Sequence, residues 1–429
     1  MIGPEVGYYL FANARPAVPF FFDGGAERTT SFLARRLGSK SIHVLQLSVY
    51  VRGKMDEAIR NAELSGFAYK STKQPTIRTL GLKLDVEESC LVCEMDRATI
   101  LAVERSEFEA VLRAIVMASR PMLMITMLTG SELVVSVGSE CNIPTILRVV
   151  GPDTVEGFPA LQPNTVVLAN SPTTAQLCSA TYGKPIHYLL ELINHDEYEC
   201  ARDDPKYVTF VNPRTKKGLE LIAEIARRML HVQFLIVHGW SRSGYDQSEL
   251  SALRFLSELP NIHQRQNIAD MRQVYSETRV LLVPSMWPES WARVIGEAQC
   301  SGIPVLVSDR GSSALQVGLG GVVLSYGNVE LWTKTLDRVC RDKKYCGKLS
   351  QLARENVNRF PAFDLLKQYR NFFLAVAQRG KSPRLRAQAI TGVVFRATQD
   401  KFGQLRIRRD TVSSSDAVDF EEPADDRRP

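Results

Sequence analysis

The sequence lacks a segment that would carry the chain into or across a membrane. Its most apolar stretch, residues 114–128, is interrupted by Arg120 and Pro121 and therefore does not meet the length that a bilayer span requires. The amino-terminal residues have no basic region ahead of a clean apolar stretch, as a secretory signal would. These two absences lead us to expect a cytoplasmic protein.

The sequence is also poor in metal-binding patterns. Its eight cysteines are scattered, and although Cys90 and Cys93 have the spacing of half a zinc site, no second pair of ligands follows. The six histidines, at positions 43, 187, 195, 231, 238 and 263, occupy no position that suggests catalysis. We therefore expect reduced cysteines and no metal centre.

What the chain does have is the size and composition of a soluble protein with more than one domain. Its 429 residues exceed what one hydrophobic core usually organises, and contents of 45% apolar and 23% charged residues are ordinary for globular proteins. Residues 1–200 carry 18 Lys and Arg against 22 Asp and Glu, a net charge of −4, whereas residues 201–429 carry 35 against 25, a net charge of +10. A positive second half suits an anionic small ligand, a nucleic acid or an acidic membrane surface, and the net charge alone does not choose among them.

Strand-like and helix-like segments alternate along the chain, which predicts parallel sheets with crossover helices. The acidic, polar stretch 193–205 interrupts this alternation and is typical of a domain linker. We therefore predict an α/β fold with two Rossmann-like, doubly wound domains that face a cleft, one over residues 1–195 and the other over residues 206–360. A final helix is expected over residues 361–380, and the Arg-, Ser- and Asp-rich tail 381–429 is expected to be disordered.

The segment WPESWARVIGEAQCSG places two carboxylates near the end of a predicted strand, where ligands of such sheets bind. Glu289 lies in the strand-to-helix loop, and Glu297 lies eight residues further on, roughly 12 Å along a helix. An ionised carboxylate accepts hydrogen bonds from hydroxyl groups, and Glu297 lies among apolar residues, where it needs a partner. The two glutamates could hold opposite ends of one long ligand.

Two further segments favour an anionic ligand. Lys216 and Lys217 precede a helix, although basic residues usually lie at a helix's end, and this position favours contact with phosphate. Gly24 and Gly25 lie at a strand-to-helix turn in the first domain and allow the backbone to approach a ligand closely. A solvated loop for the lysines and an ordinary turn for the glycines are the structural alternatives.

Together these segments resemble the retaining glycosyltransferases of family 4, also called group 1, which have the GT-B fold of two Rossmann-like domains. The resemblance covers most of residues 20–380. It rests on the glycine pair in GGAE, on the sequence LANS at residues 168–171 and on the pair Lys217–Gly218. Its most specific part is the long pattern PESWARVIGEAQCSGIPVLVSDRG, with its two glutamates eight residues apart.

The resemblance implies that a nucleotide-sugar binds between the domains and that its sugar is transferred with retention of configuration. No metal ion is implied, which is consistent with the absence of an Asp-x-Asp-like cluster in a suitable loop. Glu289 would hold hydroxyls of the donor sugar, Glu297 would hold the ribose hydroxyls, and Lys217 would neutralise the diphosphate. The residues expected to help the lysine through their backbones are Ser290, Trp291, Ala292, Gly24 and Gly25.

The sequence departs from the family pattern beside the lysine. The family usually has a Gly-Arg pair some five residues before Lys-Gly, and this chain has Val211 and Asn212 instead. Asn212 is therefore expected to face the donor, and the missing positive charge must come from another residue. Arg214 and Arg293 are the candidates, and Arg293 is preferred because it lies in the first turn after the first glutamate.

Two other departures concern the sugar end of the site. Gln316 stands where the family has an acidic residue, and no histidine follows the strand ILRVV, where the family often has one near the sugar. Arg148 and Asp153 are the nearest polar residues there, and we take them as weak candidates for the acceptor side.

The sequence thus predicts a metal-independent hexosyl- or related glycosyltransferase, with a nucleotide-sugar as co-substrate and no other cofactor. UDP, GDP and ADP sugars all remain open, and the acceptor could be a glycan, a lipid-linked saccharide or a small molecule, with peripheral contact at the inner membrane face. The basic tail lacks interleaved aromatic residues, so nucleic acid is not an expected partner. The alternatives are a degenerate GT-B protein that binds a nucleotide or nucleotide-sugar without turnover, and another GT-B enzyme such as a nucleotide-sugar epimerase.

Overall fold

The computed structural model of the protein describes most of the chain up to residue 379. The described ranges are 7–14, 25–39, 41–50, 68–95, 97–128, 130–151, 161–239, 245–266, 270–379, 393–399 and 405–411, with positions 53, 56, 59, 60 and 268. Two predicted site residues, Gly24 and Asp153, lie outside these ranges. Within them, no helix combines the length and the hydropathy that crossing a membrane requires.

The first domain is built on a nine-stranded sheet. Its strands, together with a separate short pair β4–β5, are β1 Gly7–Ala12, β2 Ile42–Val49, β3 Lys70–Thr72, β4 Thr76–Ile77, β5 Leu82–Lys83, β6 Cys90–Met95, β7 Ala98–Val103, β8 Leu123–Met127, β9 Thr145–Val149, β10 Thr165–Ala169 and β11 His187–Tyr188. Their order is β11-β10-β9-β8-β1-β2-β7-β6-β3. Neighbouring strands from β11 to β7 are parallel, and β6 runs antiparallel to both of its neighbours. Both faces of β1 and β2 are buried, as a central parallel strand requires.

The second domain is built on a six-stranded sheet in which every neighbouring pair is parallel. Its strands are β12 Tyr207–Val211, β13 Phe234–Val237, β14 Ile262–Arg265, β15 Thr278–Val283, β16 Val305–Ser308 and β17 Gly321–Leu324. The order β14-β13-β12-β15-β16-β17 is that of a doubly wound Rossmann sheet, with its switch point between β12 and β15. The predicted α/β fold with two such sheets is confirmed.

Helices connect the strands and cover the sheets. They are α1 Gly25–Leu37, α2 Phe108–Ser119, α3 Ser131–Glu140, α4 Pro172–Tyr182, α5 Leu219–Arg228, α6 Gln247–Glu258, α7 Arg272–Tyr275, α8 Arg293–Cys300, α9 Ser313–Val317, α10 Val329–Arg341, α11 Lys343–Val357 and α12 Ala362–Arg379. Amphipathic sequences explain their packing: α5 buries Leu219, Ile222 and Ile225 on one side while Arg227 and Arg228 face outward in its last turn.

The final helix, α12, returns to the first domain. Tyr369 and Phe373 are fully buried there, and the ring of Phe373 contacts those of Tyr9 and Phe11 on β1. The Tyr369 hydroxyl also contacts the backbone carbonyl oxygens of Leu189 and Leu190 at 3.2 Å each. The chain therefore crosses between the domains twice, once at the linker and once before α12.

The region 381–429, expected to be disordered, contains one described element. Strands β18 Val393–Gln399 and β19 Leu405–Thr411 pair in antiparallel fashion. The expectation of disorder is corrected for these two strands, whose alternating Val, Ile and Arg residues suit a hairpin. The other residues of the tail lie outside the described ranges.

Candidate functional site

A cavity of about 450 Å³ opens between the carboxyl ends of the two sheets. The first domain contributes residues from the start of α1 and from the ends of β9 and β10, and the second contributes residues after β12, β13 and β15 and from α8. The volume and the position are typical of a small-ligand site in open α/β proteins. The predicted site residues that line it are Gly25, Asn212, Arg214, Lys217, Glu289, Ser290, Trp291, Ala292, Arg293 and Glu297.

Backbone geometry after β12 directs Lys217 into the cavity. Asn212 adopts a left-handed conformation with φ of 61° and ends the strand. A short 3₁₀ turn over Thr215–Lys217 follows, and Gly218 then has φ of 93°. A Cβ atom on Gly218 would lie 2.1 Å from the carbonyl oxygen of Pro284, so only glycine fits there. The Lys-Gly pair is therefore explained by a turn that holds the lysine against the loop after β15.

Lys217 and Glu289 form an ion pair at the cavity wall. The lysine Nζ lies 2.5 Å from Oε1 of Glu289, and the Ser285 hydroxyl donates to the same oxygen at 2.5 Å. The glutamate side chain is 7% exposed and the lysine side chain 27% exposed, so the ligand side of the pair is open mainly at the lysine. Gly311, which has φ of 62°, packs so closely against the backbone of Glu289 that no side chain would fit there.

Glu297 lies deeper, on α8, and both of its carboxylate oxygens have partners. Arg293 Nε lies 3.2 Å from Oε1, and the Tyr275 hydroxyl donates to Oε2 at 2.8 Å. Burial, with Glu297 adding to it, raises the pKa of the Tyr275 hydroxyl well above its usual value, so this donor keeps its proton. The Glu297 carboxylate therefore has the hydrogen-bond partners that a charged group among apolar residues requires.

Arg293 bonds to groups from both domains and the linker. Its Nη1 donates to the Thr29 hydroxyl on α1 at 2.8 Å and to the carbonyl oxygen of Leu192 at 2.6 Å, and its Nη2 donates to the Tyr198 hydroxyl at 3.1 Å. Its side chain is only 10% exposed. A Cβ atom on Gly25 would lie 2.5 Å from Cδ of Arg293, so that glycine makes room for the arginine. The sequence expected Arg293 to face phosphate, whereas the structure uses most of its donors to join the domains.

The loop before α8 also contacts the first domain. The Ser290 hydroxyl donates to the carbonyl oxygen of Val150 at 2.7 Å and accepts from Asn170 Nδ2 at 3.3 Å. Trp291 is buried, and its ring meets that of Phe360 edge to face at 5.4 Å between centroids. Asn170 belongs to the LANS sequence, so that motif is explained by a contact across the cleft.

Ala292 ends the loop as the residue before α8, and Gln316 supports it. The Gln316 amide donates from Nε2 to the carbonyl oxygen of Ala292 at 2.9 Å, and Gln316 is 2% exposed. An ionised carboxylate has no proton to donate, so an acidic residue could not make this bond. The presence of glutamine instead of an acidic residue at position 316 therefore has a local structural reason.

Arg214 lines the cavity, but its guanidinium already interacts with two other residues of the second domain. Nη1 lies 2.9 Å from Oε2 of Glu249, and the guanidinium stacks over the Tyr245 ring at 3.9 Å from its centroid. Asn212 lies beside Gly239, where an added Cβ atom would come within 2.7 Å of the asparagine Oδ1.

Arg148 does not line the cavity. It is 2% exposed and bonds Thr30 through Nη1 at 3.1 Å and Glu191 through Nη2 at 3.2 Å. Its guanidinium also lies over the Tyr369 ring, 5.7 Å from the centroid. The expectation that Arg148 serves the acceptor side is corrected: it forms a buried ion pair with Glu191 that joins β9, the segment after β11 and α12.

Several cavity residues were missed by sequence reasoning. His238 follows β13 directly and Ser285 is the second residue after β15, so the rule that ligands bind at carboxyl ends of strands could have found both. His238 is held between Tyr245 and Gln264, at 3.2 Å and 2.8 Å. Arg28 on α1 and Glu191 after β11 could not be predicted, because neither stands in a sequence pattern that distinguishes it from a surface charge.

Comparisons with known proteins agree with this architecture. Residues 194–356 match the family model described as glycosyl transferases group 1. Solved structures of a glycosyltransferase from Rickettsia africae ESF-5 (TM-score 0.63, 13% identity, 89% of this chain and 100% of that one) and of Anabaena Alr3699/HepE in complex with UDP (TM-score 0.61, 14% identity, 86% and 100%) share the fold. The predicted GT-B fold is confirmed.

The curated relatives match over a shorter region. The protein named "Putative glycosyltransferase YtcC" from Bacillus subtilis (strain 168) is 26% identical over 175 residues, which is 38% of this chain and 43% of that protein. The "Exopolysaccharide phosphotransferase SCO2592" from Streptomyces coelicolor is 22% identical over 174 residues, which is 39% of this chain and 18% of that protein. The matched region thus spans less than half the length of either relative.

Proposed function

We propose that this protein transfers a sugar from a nucleotide-sugar to a glycan, lipid-linked or small-molecule acceptor, with retention of configuration and without a metal ion. The observation that carries the proposal is the pairing of Lys217 with Glu289 at the wall of an interdomain cavity. The pair joins a cation for phosphate to a carboxylate for sugar hydroxyls. The match of residues 194–356 to the group 1 glycosyltransferases supports the assignment.

The chemistry of the leaving group explains why a lysine belongs here. When the bond between the anomeric carbon and the phosphate oxygen breaks, its electron pair goes to the diphosphate, which gains negative charge. A fixed cation and backbone amides beside that oxygen stabilise the charge without reorganising in the reaction. We assign the cation to Lys217 and the amides to the loop of Ser290, Trp291 and Ala292, which leads into the amino end of α8.

We assign the sugar to Glu289. A carboxylate oxygen that already accepts from Lys217 and Ser285 leaves Oε2 for hydroxyl donors, since each carboxylate has about four acceptor positions. The acceptor hydroxyl would attack the anomeric carbon from the face that the diphosphate leaves. Its proton would pass to the departing phosphate oxygen, which accounts for every atom and requires no separate side-chain base.

We assign Glu297 to the ribose hydroxyls, which would share its carboxylate with two existing partners. Because Arg293 and Tyr275 occupy one acceptor position on each oxygen, ribose hydroxyls would share the carboxylate with them. Arg293 is assigned a positioning role instead of a direct one, since its donors hold Thr29, Leu192 and Tyr198.

The proposal is tested by assaying hydrolysis and transfer with UDP-, GDP- and ADP-sugars and comparing Glu289→Gln with the wild-type protein. We expect kcat to fall about 10²–10³-fold, the size typical for loss of one preorganised polar contact. The affinity for the free nucleoside diphosphate, which has no sugar, should not fall, because Lys217 keeps its charge and loses its anionic partner. Lys217→Gln should instead lose affinity for the diphosphate as well.

The matched control is Glu224→Gln on α5, where the glutamate pairs with Arg227 and Arg228 away from the cavity. It should behave as wild type. A wild-type protein that binds a nucleoside diphosphate but turns over none of the donors would support the degenerate binding protein instead. Equal activity of the Glu289 and Glu224 variants would contradict the assigned role of Glu289.

A further inference from the structure

Tyr275 supports the Glu297 carboxylate from the interior of the second domain. Its hydroxyl donates to Oε2 of the glutamate at 2.8 Å, although the tyrosine is 0% exposed and does not line the cavity. Glu297 itself does line the cavity. The tyrosine hydroxyl therefore reaches the carboxylate from behind the cavity wall, so a ligand in the cavity can share the carboxylate with it.

The surroundings of Tyr275 hold its hydroxyl in place. Tyr275 ends α7, and its ring belongs to a buried apolar cluster that also contains Val274 and Leu281. The hydroxyl of Thr278, at the start of β15, donates to the carbonyl oxygen of Val274 at 2.7 Å, which ties the helix to the sheet. Because the ring is packed in the core, its hydroxyl cannot leave Glu297 unless the core opens.

Two donors hold the Glu297 carboxylate, one on each oxygen. Arg293 Nε lies 3.2 Å from Oε1, and the Tyr275 hydroxyl bonds to Oε2. An ionised carboxylate has about four acceptor positions, so each oxygen can accept a further hydrogen bond. One acceptor on each oxygen suits two hydroxyls on neighbouring carbons, such as the 2′ and 3′ hydroxyls of a ribose.

Packing alone does not explain a tyrosine at position 275. Phenylalanine would fill nearly the same volume and would bury no hydroxyl group. The hydroxyl and the Glu297 carboxylate each need a partner in this apolar cluster, and replacing both by apolar groups would remove both needs. The pair therefore points to a use for a fixed carboxylate at the cavity.

We infer that Tyr275 is a positioning residue, which fixes Glu297 for two neighbouring ribose hydroxyls and so sets a preference for ribonucleotides over 2′-deoxyribonucleotides. This inference rests on the proposed function, which assigns Glu297 to the ribose. Tyr275 acts through the glutamate and touches no substrate atom. Its loss should therefore lower the affinity mainly for ligands that carry both hydroxyls.

The test is calorimetric titration with UDP, GDP and ADP, followed by the 2′-deoxy form of whichever diphosphate binds most tightly. The wild type should prefer the ribonucleotide about 10- to 100-fold, the range for a hydrogen bond to a charged group. Tyr275→Phe removes one oxygen atom and keeps the ring, and it should reduce this preference about 3- to 10-fold by weakening the binding of the ribonucleotide. Binding of the 2′-deoxynucleotide should change little, and it shows that the variant is folded.

A double-mutant cycle with Glu297→Gln separates positioning from a general loss of stability. Glu297→Gln alone should remove most of the preference, and adding Tyr275→Phe should not reduce it further, because no carboxylate remains to be positioned. The matched control is Tyr8→Phe on β1, which removes a buried hydroxyl that lies 2.7 Å from the Ser119 hydroxyl oxygen, outside the cavity. It should keep the preference of the wild type.

The outcomes distinguish this inference from the proposed function. An unchanged preference in Tyr275→Phe would show that the tyrosine does not position Glu297, and the proposed function would stand. Additive losses in the double variant would show that the two residues act separately, which also contradicts the inference. A wild type that binds a diphosphate without preferring the ribonucleotide would overturn both the inference and the ribose assignment of Glu297. If the wild type binds none of the three diphosphates, the proposed function fails together with the inference.

Discussion

The two sides of the cavity present their polar groups in different ways. On the second-domain side, charges come in pairs, as in Lys217–Glu289 and Arg293–Glu297. On the first-domain side, Asn170 makes neutral hydrogen bonds to the Val150 carbonyl oxygen and to the hydroxyl of Ser290, which belongs to the second domain. Charged pairs can exchange partners with an incoming ligand, whereas neutral bonds to backbone mainly hold shape. Under the proposed function, the charged pairs of the second domain would contact the anionic donor, and the neutral bonds of Asn170 would support the cleft.

Arg293 makes charged contacts with both sides of the cavity, so we expect its removal to have the largest effect on stability. We expect Arg293→Ala to lower the free energy of unfolding by about 3–5 kcal/mol, because Glu297 would remain buried without its cation. The measurement is urea unfolding followed by circular dichroism. Adding Glu297→Gln should recover part of the loss, since the unpaired charge is then gone.

A control for this experiment is Arg113→Ala in the first domain, where the arginine forms exposed ion pairs with Glu109 and Glu140. Solvent screens such pairs, so this variant should unfold near the wild-type midpoint. Equal midpoints for the Arg293 and Arg113 variants would show that Arg293 does not hold the domains together.

The same contrast explains how far the sequence could predict the site. The positions of Lys217 and Glu289 at the cavity could be predicted because each residue follows a strand in a short local pattern. The pattern at Lys217 is that of a turn, and the pattern at Glu289 is that of a helix start. The partners of Arg293 were not, since Thr29, Leu192 and Tyr198 come from three distant parts of the chain. Arg148 was misassigned for a related reason: its burial depends on Tyr369 of the last helix, 221 residues away.

The fold, too, was predictable only where its sequence signals are local. Alternating segments predicted both sheets and the crossover helices, because hydrophobic periodicity is local. The antiparallel strands β3 and β6, at the far edge of the first sheet, were not predicted. Residues 70–72 of β3 are largely exposed, so no apolar run marks them. Pairing with β6, as between Thr72 and Cys90, supplies the hydrogen bonds of β3, and such pairing leaves little trace in a strand of three residues.

A substitution at Gln316 tests the hydrogen bond that supports Ala292 on the second-domain side of the cavity. Gln316→Glu replaces an amide donor with a carboxyl group that can bond Ala292 only when protonated. Burial should raise the pKa of the new carboxyl above its unfolded value of about 4.3. A raised folded-state pKa means that stability is retained at low pH and lost as pH rises from the unfolded towards the folded pKa.

We therefore expect Gln316→Glu to melt close to the wild type near pH 4 and to lose about 1–3 kcal/mol of stability at pH 8. Thermal unfolding at a series of pH values, relative to the wild type at each pH, measures this. Gln316→Met, which cannot ionise, should show a loss that does not depend on pH. A Glu variant whose deficit is constant with pH would mean that the carboxyl group escapes into solvent.

The smallest expected effect concerns the neutral contacts of the first-domain side. Ser290→Ala removes the bonds to Val150 and Asn170, and a neutral hydrogen bond contributes about 1 kcal/mol net, so the free energy of unfolding should fall by roughly that amount. Ser251→Ala on α6 removes only a bond to the carbonyl oxygen of Gln247 in its own helix, and it should be neutral or slightly stabilising because alanine favours helices. If Ser290→Ala were as harmless as Ser251→Ala in urea unfolding, the contacts across the cleft would be replaced by water at no cost. The domain arrangement would then depend on the charged contacts of Arg293 and on the packing of α12 against the first domain.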